Sequence, residues 1–134
     1  MAVLKAESLP IRSDMDVVQV RQIVRAWATE LTFSLVDQTK IITAASELAR
    51  NTLQHGGGGT MRVESLNDGV KRGLRLVFED EGPGIPDISQ AMRDGYTTGG
   101  GLGMGLPGTR RLVNEFDIAS RPGAGTTVTV VKWK

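Results

Sequence analysis

Glu47 and Asn51, in the stretch SELARNTLQH, stand four residues apart, so a helix would place a carboxylate and an amide on one face. His55 follows one turn later. Asparagine is a poor helix-interior residue, yet here it lies between good helix formers. An amide oxygen and a carboxylate on one face can hold a hard cation such as Mg²⁺ and polarise a hydroxyl beside it. Two ligands are too few for an all-protein metal site, so water and phosphate oxygens would complete the shell. Taken alone, the pair also fits a solvated helix face.

A second group is FEDEGPGIPD. The alternation Leu74, Leu76, Phe78, Asp80 carries the carboxylate of Asp80 onto the apolar face of a strand. A carboxylate there needs donors. Gly82 and Gly84 follow at once and would let a flat ring approach the backbone, an arrangement that suits an exocyclic amine such as adenine's. A plain Pro-Gly turn explains the same residues, and both readings stay open at this point.

The third group is GGGLGMGLPGTRRL, with six glycines among its first ten residues. Backbone N–H groups of such a loop, with the start of the following helix, form an anion site. No Gly-Lys-Ser/Thr ends it, so it is not a Walker A loop. GMGLPG matches G-x-G-x-x-G by accident, since no apolar strand precedes it and no ribose-binding acid follows.

These groups need elements to hold them. Residues 8–13 read as a short edge strand. Asp14 or Asp16 can cap a helix whose apolar stripe is Val17, Val20, Val24, Trp27, Ala28 and Leu31. Ser34 and Asp37 resemble a capping box opening a second helix to about His55. TMRVESL and LRLVFED form a hairpin around Asn67–Gly69, with a loop that could extend to Gly73. One helical turn is expected over 88–93, a helix over 106–114, and two final strands in FDIASR and TTVTVVKW. The order predicts an α+β two-layer sandwich with a mixed, mostly antiparallel sheet and helices on one face. The 134 residues fit one domain, 1–134. A net charge of +1 does not favour nucleic acid. No cysteine is present and no apolar run approaches a membrane span, which fits a cytoplasmic protein without membrane contact.

The three groups in this order, with Gly125–Thr126 on the last strand, resemble the GHKL ATPases, which share the Bergerat ATP-binding fold. ELARN corresponds to the box on the helix, DEGPG to the second box, and GLGMGL to the lid. Without long lids or a following lysine-bearing domain, and with its single histidine inside the first box, the chain looks most similar to the anti-sigma-factor serine/threonine kinases of bacterial partner switching. DQTKIITAASELARN, EDEGPGIPD, GGLGMGLPGTRRLVNEF and the terminal KW resemble their stressosome switch-kinase branch in particular.

The resemblance implies ATP and Mg²⁺. It implies Glu47 as general base and Asn51 as Mg²⁺ ligand. Asp80 and Thr126 would meet the adenine, the latter through water, with Gly82, Gly84 and Ile85 around the base. Gly101, Leu102, Gly103, Met104, Gly105 and Leu106 would form a phosphate-facing lid, ordered by nucleotide. That lid carries no lysine or arginine; Arg110 and Arg111 lie a turn inside the next helix. His55 is expected at the helix end near the pocket. The implied partners are STAS-domain antagonist or scaffold proteins and a PP2C-type phosphatase. The alternative is a module in which ATP only shapes a surface that sequesters a sigma factor.

Overall fold

Ser13 starts the helical layer. Its backbone is extended, and its side chain accepts the Asp16 N–H at 3.3 Å. Asp14 and Asp16 are therefore not the cap. The carboxylate of Asp16 turns back to accept the Arg12 N–H at 2.8 Å.

The computed structural model of the protein describes residues 1–85, 87–92 and 105–134. Its elements are β1 (Ala2–Ile11), α1 (Asp14–Glu30), α2 (Leu35–Gln54), β2 (Gly59–Asn67), β3 (Arg72–Asp80), α3 (Ile88–Ala91), α4 (Gly105–Arg110), β4 (Glu115–Ser120) and β5 (Thr126–Trp133). In α1 the predicted stripe is buried from Val17 to Ala28, and Leu31 packs against it as the C-cap. In α2, Ser34 caps by accepting the Asp37 N–H at 3.1 Å. Ala44, Ala45 and Ala49 are fully buried, and such small side chains let a helix lie close on a sheet.

The strands form one sheet in the order β1-β2-β3-β5-β4. Among the described residues all four pairings are antiparallel, so the sheet there is antiparallel and not mixed. Register aligns Met61 with Phe78 and Val128, and Val63 with Leu76 and Val130. These rows are buried and join Val20, Val24, Ile41 and Leu48 of the helices in one core. Burial of this kind contributes about 25 cal/mol per Å² of apolar surface and is the main stabilising term. No helix among the described residues is long and apolar enough to cross a membrane.

Two further boundaries differ from expectation. Strand β1 is longer than the predicted 8–13, because residues 2–11 pair with β2 along its whole length, with a bulge between Val3 and Lys5. Helix α4 stops at Arg110 and not at Asn114. Leu112 N–H already bonds three residues back to Thr109, and Asn114 is drawn to β5, its N–H to Val131 at 2.9 Å and its Oδ1 from the Trp133 N–H at 2.7 Å.

The other sheet face is polar at its centre. Buried Glu64 accepts from Arg75 at 2.5 Å and from Arg62 at 3.3 Å. Chiefly through the Arg75 bond, with Arg62 assisting against the cost of burial, its carboxyl is held below the ordinary value of 4.5. A lowered carboxyl stabilises the fold above that ordinary value, and the contribution is lost as pH falls through the lower, folded value. Glu64→Gln should therefore be less stable than wild type near neutrality, with the gap narrowing below about pH 4.5. Urea denaturation across this range measures it, and a gap independent of pH would contradict the assignment.

Candidate functional site

Asp80 closes β3, opposite Gly59 on β2 and Thr126 on β5. It therefore sits where the sheet meets the C-terminal end of α2. Its Oδ1 accepts the Gly82 N–H at 2.9 Å. A Cβ on Gly56 would lie 2.4 Å from both Cβ and Cγ of Asp80, and one on Gly82 would lie 2.7 Å from the Cα of Gly56. These two glycines let the end of α2 and the loop after β3 close around the carboxylate. Gly125 has φ +81°, and a Cβ there would lie 2.2 Å from the carbonyl oxygen of Asp80. Gly84 has φ +78° and faces the carbonyl of Arg121 in the same way.

Beside Asp80 is a cavity of about 220 Å³. Its walls are mostly apolar, with Leu48, Phe78, Ile118 and Val128 from the core and Ala91 from α3. Its polar groups are few and come from separate elements: Asn51, Thr52 and His55 from the α2 end, Asp80 from β3 and Thr126 from β5. An apolar slot with a few convergent polar groups suits a flat heteroaromatic ligand.

Of the residues singled out in the sequence, Asn51, Asp80, Gly84, Ile85, Gly105, Leu106 and Thr126 line this cavity, and Gly82 lies directly behind Asp80. His55 lines it too and forms the C-cap of α2. Glu47 is on the same helix but outside the cavity lining, half-buried, with Arg50 donating to its Oε1 at 3.0 Å. Gly101, Leu102, Gly103 and Met104 lie outside the described residues. Arg110 and Arg111 flank a separate hollow with Met92 and Pro107. Ser120 is a polar residue that sequence reasoning missed. It bonds Ile85, Gly125 and Thr126 behind the cavity wall. Nothing in a single serine at a strand end announces such a role.

Residues 36–134 match the family model of the histidine kinase-, DNA gyrase B-, and HSP90-like ATPases. The chain belongs to this family. Among curated proteins it is 49% identical, over 92% of both chains, to the serine/threonine-protein kinase RsbT of Bacillus subtilis. It is 32% identical to an anti-sigma F factor of Thermoanaerobacter, over 84% of this chain and 82% of that one. Among solved structures, the RsbU and RsbW domains of a Mycobacterium tuberculosis protein superpose with a TM-score of 0.68 at 22% identity, over 97% of this chain and 33% of that one. This last likeness is one of fold. Identity to RsbT over nearly the full length of both chains makes this GHKL protein a serine/threonine kinase related to RsbT and to anti-sigma F factors.

Asp80 lines the cavity while its Oδ1 accepts the Gly82 N–H. Asn51 lines the same space. Among the described residues no group of three His, Cys, Asp or Glu could hold a metal by itself. The donor set here fits a metal that arrives with phosphates and water, not one caged by protein.

Proposed function

We propose that residues 1–134 form a single kinase domain that binds Mg²⁺-ATP in this cavity and phosphorylates a serine or threonine on a STAS-domain partner. The observation that carries the site is the meeting of Asn51, Asp80 and Thr126, from three separate elements, on one apolar cavity. Asp80 accepts from the adenine amine. Ile85, Gly84 and Phe78 enclose the ring. Asn51 supplies a metal ligand. Mg²⁺, when bound, neutralises charge on the phosphates. Glu47, one turn before Asn51, takes the proton of the attacking hydroxyl as its oxygen bonds the γ-phosphorus and the bond to the ADP oxygen breaks. The glycine-rich stretch 101–106 serves as the phosphate lid in this reading and brings no lysine or arginine of its own.

In this reading the protein works in the cytoplasm. When released from its STAS-domain antagonist or scaffold it activates a PP2C-type phosphatase by binding. The likeness to RsbT supports the kinase reading, and the likeness to an anti-sigma F factor supports the alternative, a module that sequesters a sigma factor. Single-turnover transfer from labelled ATP to STAS-domain proteins separates the two. The expected result is an acid-stable, base-labile phosphate on the partner. No transfer to any such protein, with tight ATP-dependent binding of a sigma factor, would favour the sequestering module.

A further inference from the structure

Ser120 ends β4, and its Oγ meets three polar groups. The Ile85 N–H donates to it at 2.7 Å, the Gly125 carbonyl oxygen lies at 3.0 Å, and Thr126 Oγ1 lies at 2.8 Å. A hydroxyl has one proton and two lone pairs. The Ile85 N–H uses one lone pair. A carbonyl can only accept, so the Ser120 proton goes to Gly125. One lone pair is left for Thr126, and Thr126 is then the donor in that contact. Its only proton is committed to the protein side. Thr126 lines the cavity, so its oxygen can show that cavity lone pairs alone.

Thr126 is the ladder partner of Asp80, which lines the same cavity. A carboxylate also presents only acceptors. We infer that Ser120 is a specificity-determining residue: by fixing the direction of the Thr126 hydroxyl it makes the wall formed by Asp80 and Thr126 acceptor-only. Where it faces the 6-position, such a wall suits a 6-amino purine, whose exocyclic group has two N–H donors. At that position it opposes a 6-oxo purine, whose O6 is another acceptor. A buried acceptor facing acceptors forfeits its hydrogen bond and keeps its desolvation cost. The inference rests on placing adenine at this wall, as proposed above.

Losing Ser120 frees the Thr126 hydroxyl to turn its proton into the cavity. The test is calorimetric titration of ATP and inosine triphosphate into wild type, Ser120→Ala, Ser120→Thr, Thr126→Val and Asp80→Ala. The preference of wild type for ATP should fall about tenfold in Ser120→Ala, the size of one hydrogen bond exchanged between the two ligands. Ser120→Thr keeps a hydroxyl and should keep the preference. Thr126→Val removes the acceptor without touching the Ser120 bonds to Ile85 and Gly125, and should weaken ATP more than inosine triphosphate. It also serves if Ser120→Ala folds poorly. A merely structural Ser120 would weaken both nucleotides by one factor. A preference unchanged in Ser120→Ala and Thr126→Val, with ATP binding still sensitive to Asp80→Ala, overturns this inference alone. ATP binding indifferent to Asp80→Ala overturns the placement of adenine, and this inference with it.

Discussion

Glu47→Ala is expected to bind Mg²⁺-ATP and its protein partner as wild type does, yet to lose phosphoryl transfer by ~10²–10⁴-fold. A serine hydroxyl is a poor nucleophile near neutral pH, and the transfer needs a positioned acceptor for its proton. Glu47 lies four residues before Asn51 on α2, beside the cavity but outside its lining, so its loss should spare nucleotide affinity. Its ion pair with Arg50 at 3.0 Å spans one turn of a partly exposed helix face, and such pairs contribute only about 0.2–0.5 kcal/mol. The fold should therefore survive the substitution. Asn51→Ala should differ by also weakening Mg²⁺-dependent nucleotide binding, because Asn51 does line the cavity. Single-turnover transfer paired with calorimetry measures both effects. Undiminished transfer by Glu47→Ala would remove it as the base.

What could be read in the sequence was what local periodicity encodes. The stripe of α1 and the Ser34 cap of α2 are statements about neighbours within a few turns, and the structure places both as read. The first half of β1 escaped because AVLKAES has no alternation of its own; seven of the first eight positions from Ala2 are solvent-exposed or edge-facing, and pairing with β2, more than fifty residues on, makes it a strand. Helix α4 was overestimated because RRLVN reads as helical, while Asn114 gains two bonds to β5 by leaving the helix. Tertiary partners overrode propensity there. The glycines were visible, but not all their uses were. Gly82 reads as room for a ring, and the space where its side chain would stand is filled by the backbone of Gly56. Ser120 was illegible for a related reason, since it acts on Ile85, 35 residues away, through a contact that only the sheet topology creates.

Asp80→Ala should lose ATP affinity by about 10- to 100-fold, the equivalent of roughly 1.5–3 kcal/mol for a hydrogen bond to a charged acceptor. The fold should remain, because Asp80 holds its place in the sheet through main-chain pairing with β2 and β5, and alanine keeps the Cβ beside Gly56. What disappears is the carboxylate at the cavity, with its bond to the Gly82 N–H. Asp80→Asn sharpens the test. An asparagine can still accept from Gly82 with its amide oxygen, and it then turns an NH₂ toward the ligand. That exchange places donor against donor for adenine and donor against acceptor for a 6-oxo purine. Asp80→Asn should thus weaken ATP while improving inosine triphosphate relative to it, a reversal that general damage to the pocket would not produce. Calorimetry with both nucleotides on the three proteins decides the matter. If Asp80→Ala and Asp80→Asn bind ATP as tightly as wild type, the amine is recognised elsewhere, and the cavity beneath α2 does not hold the base.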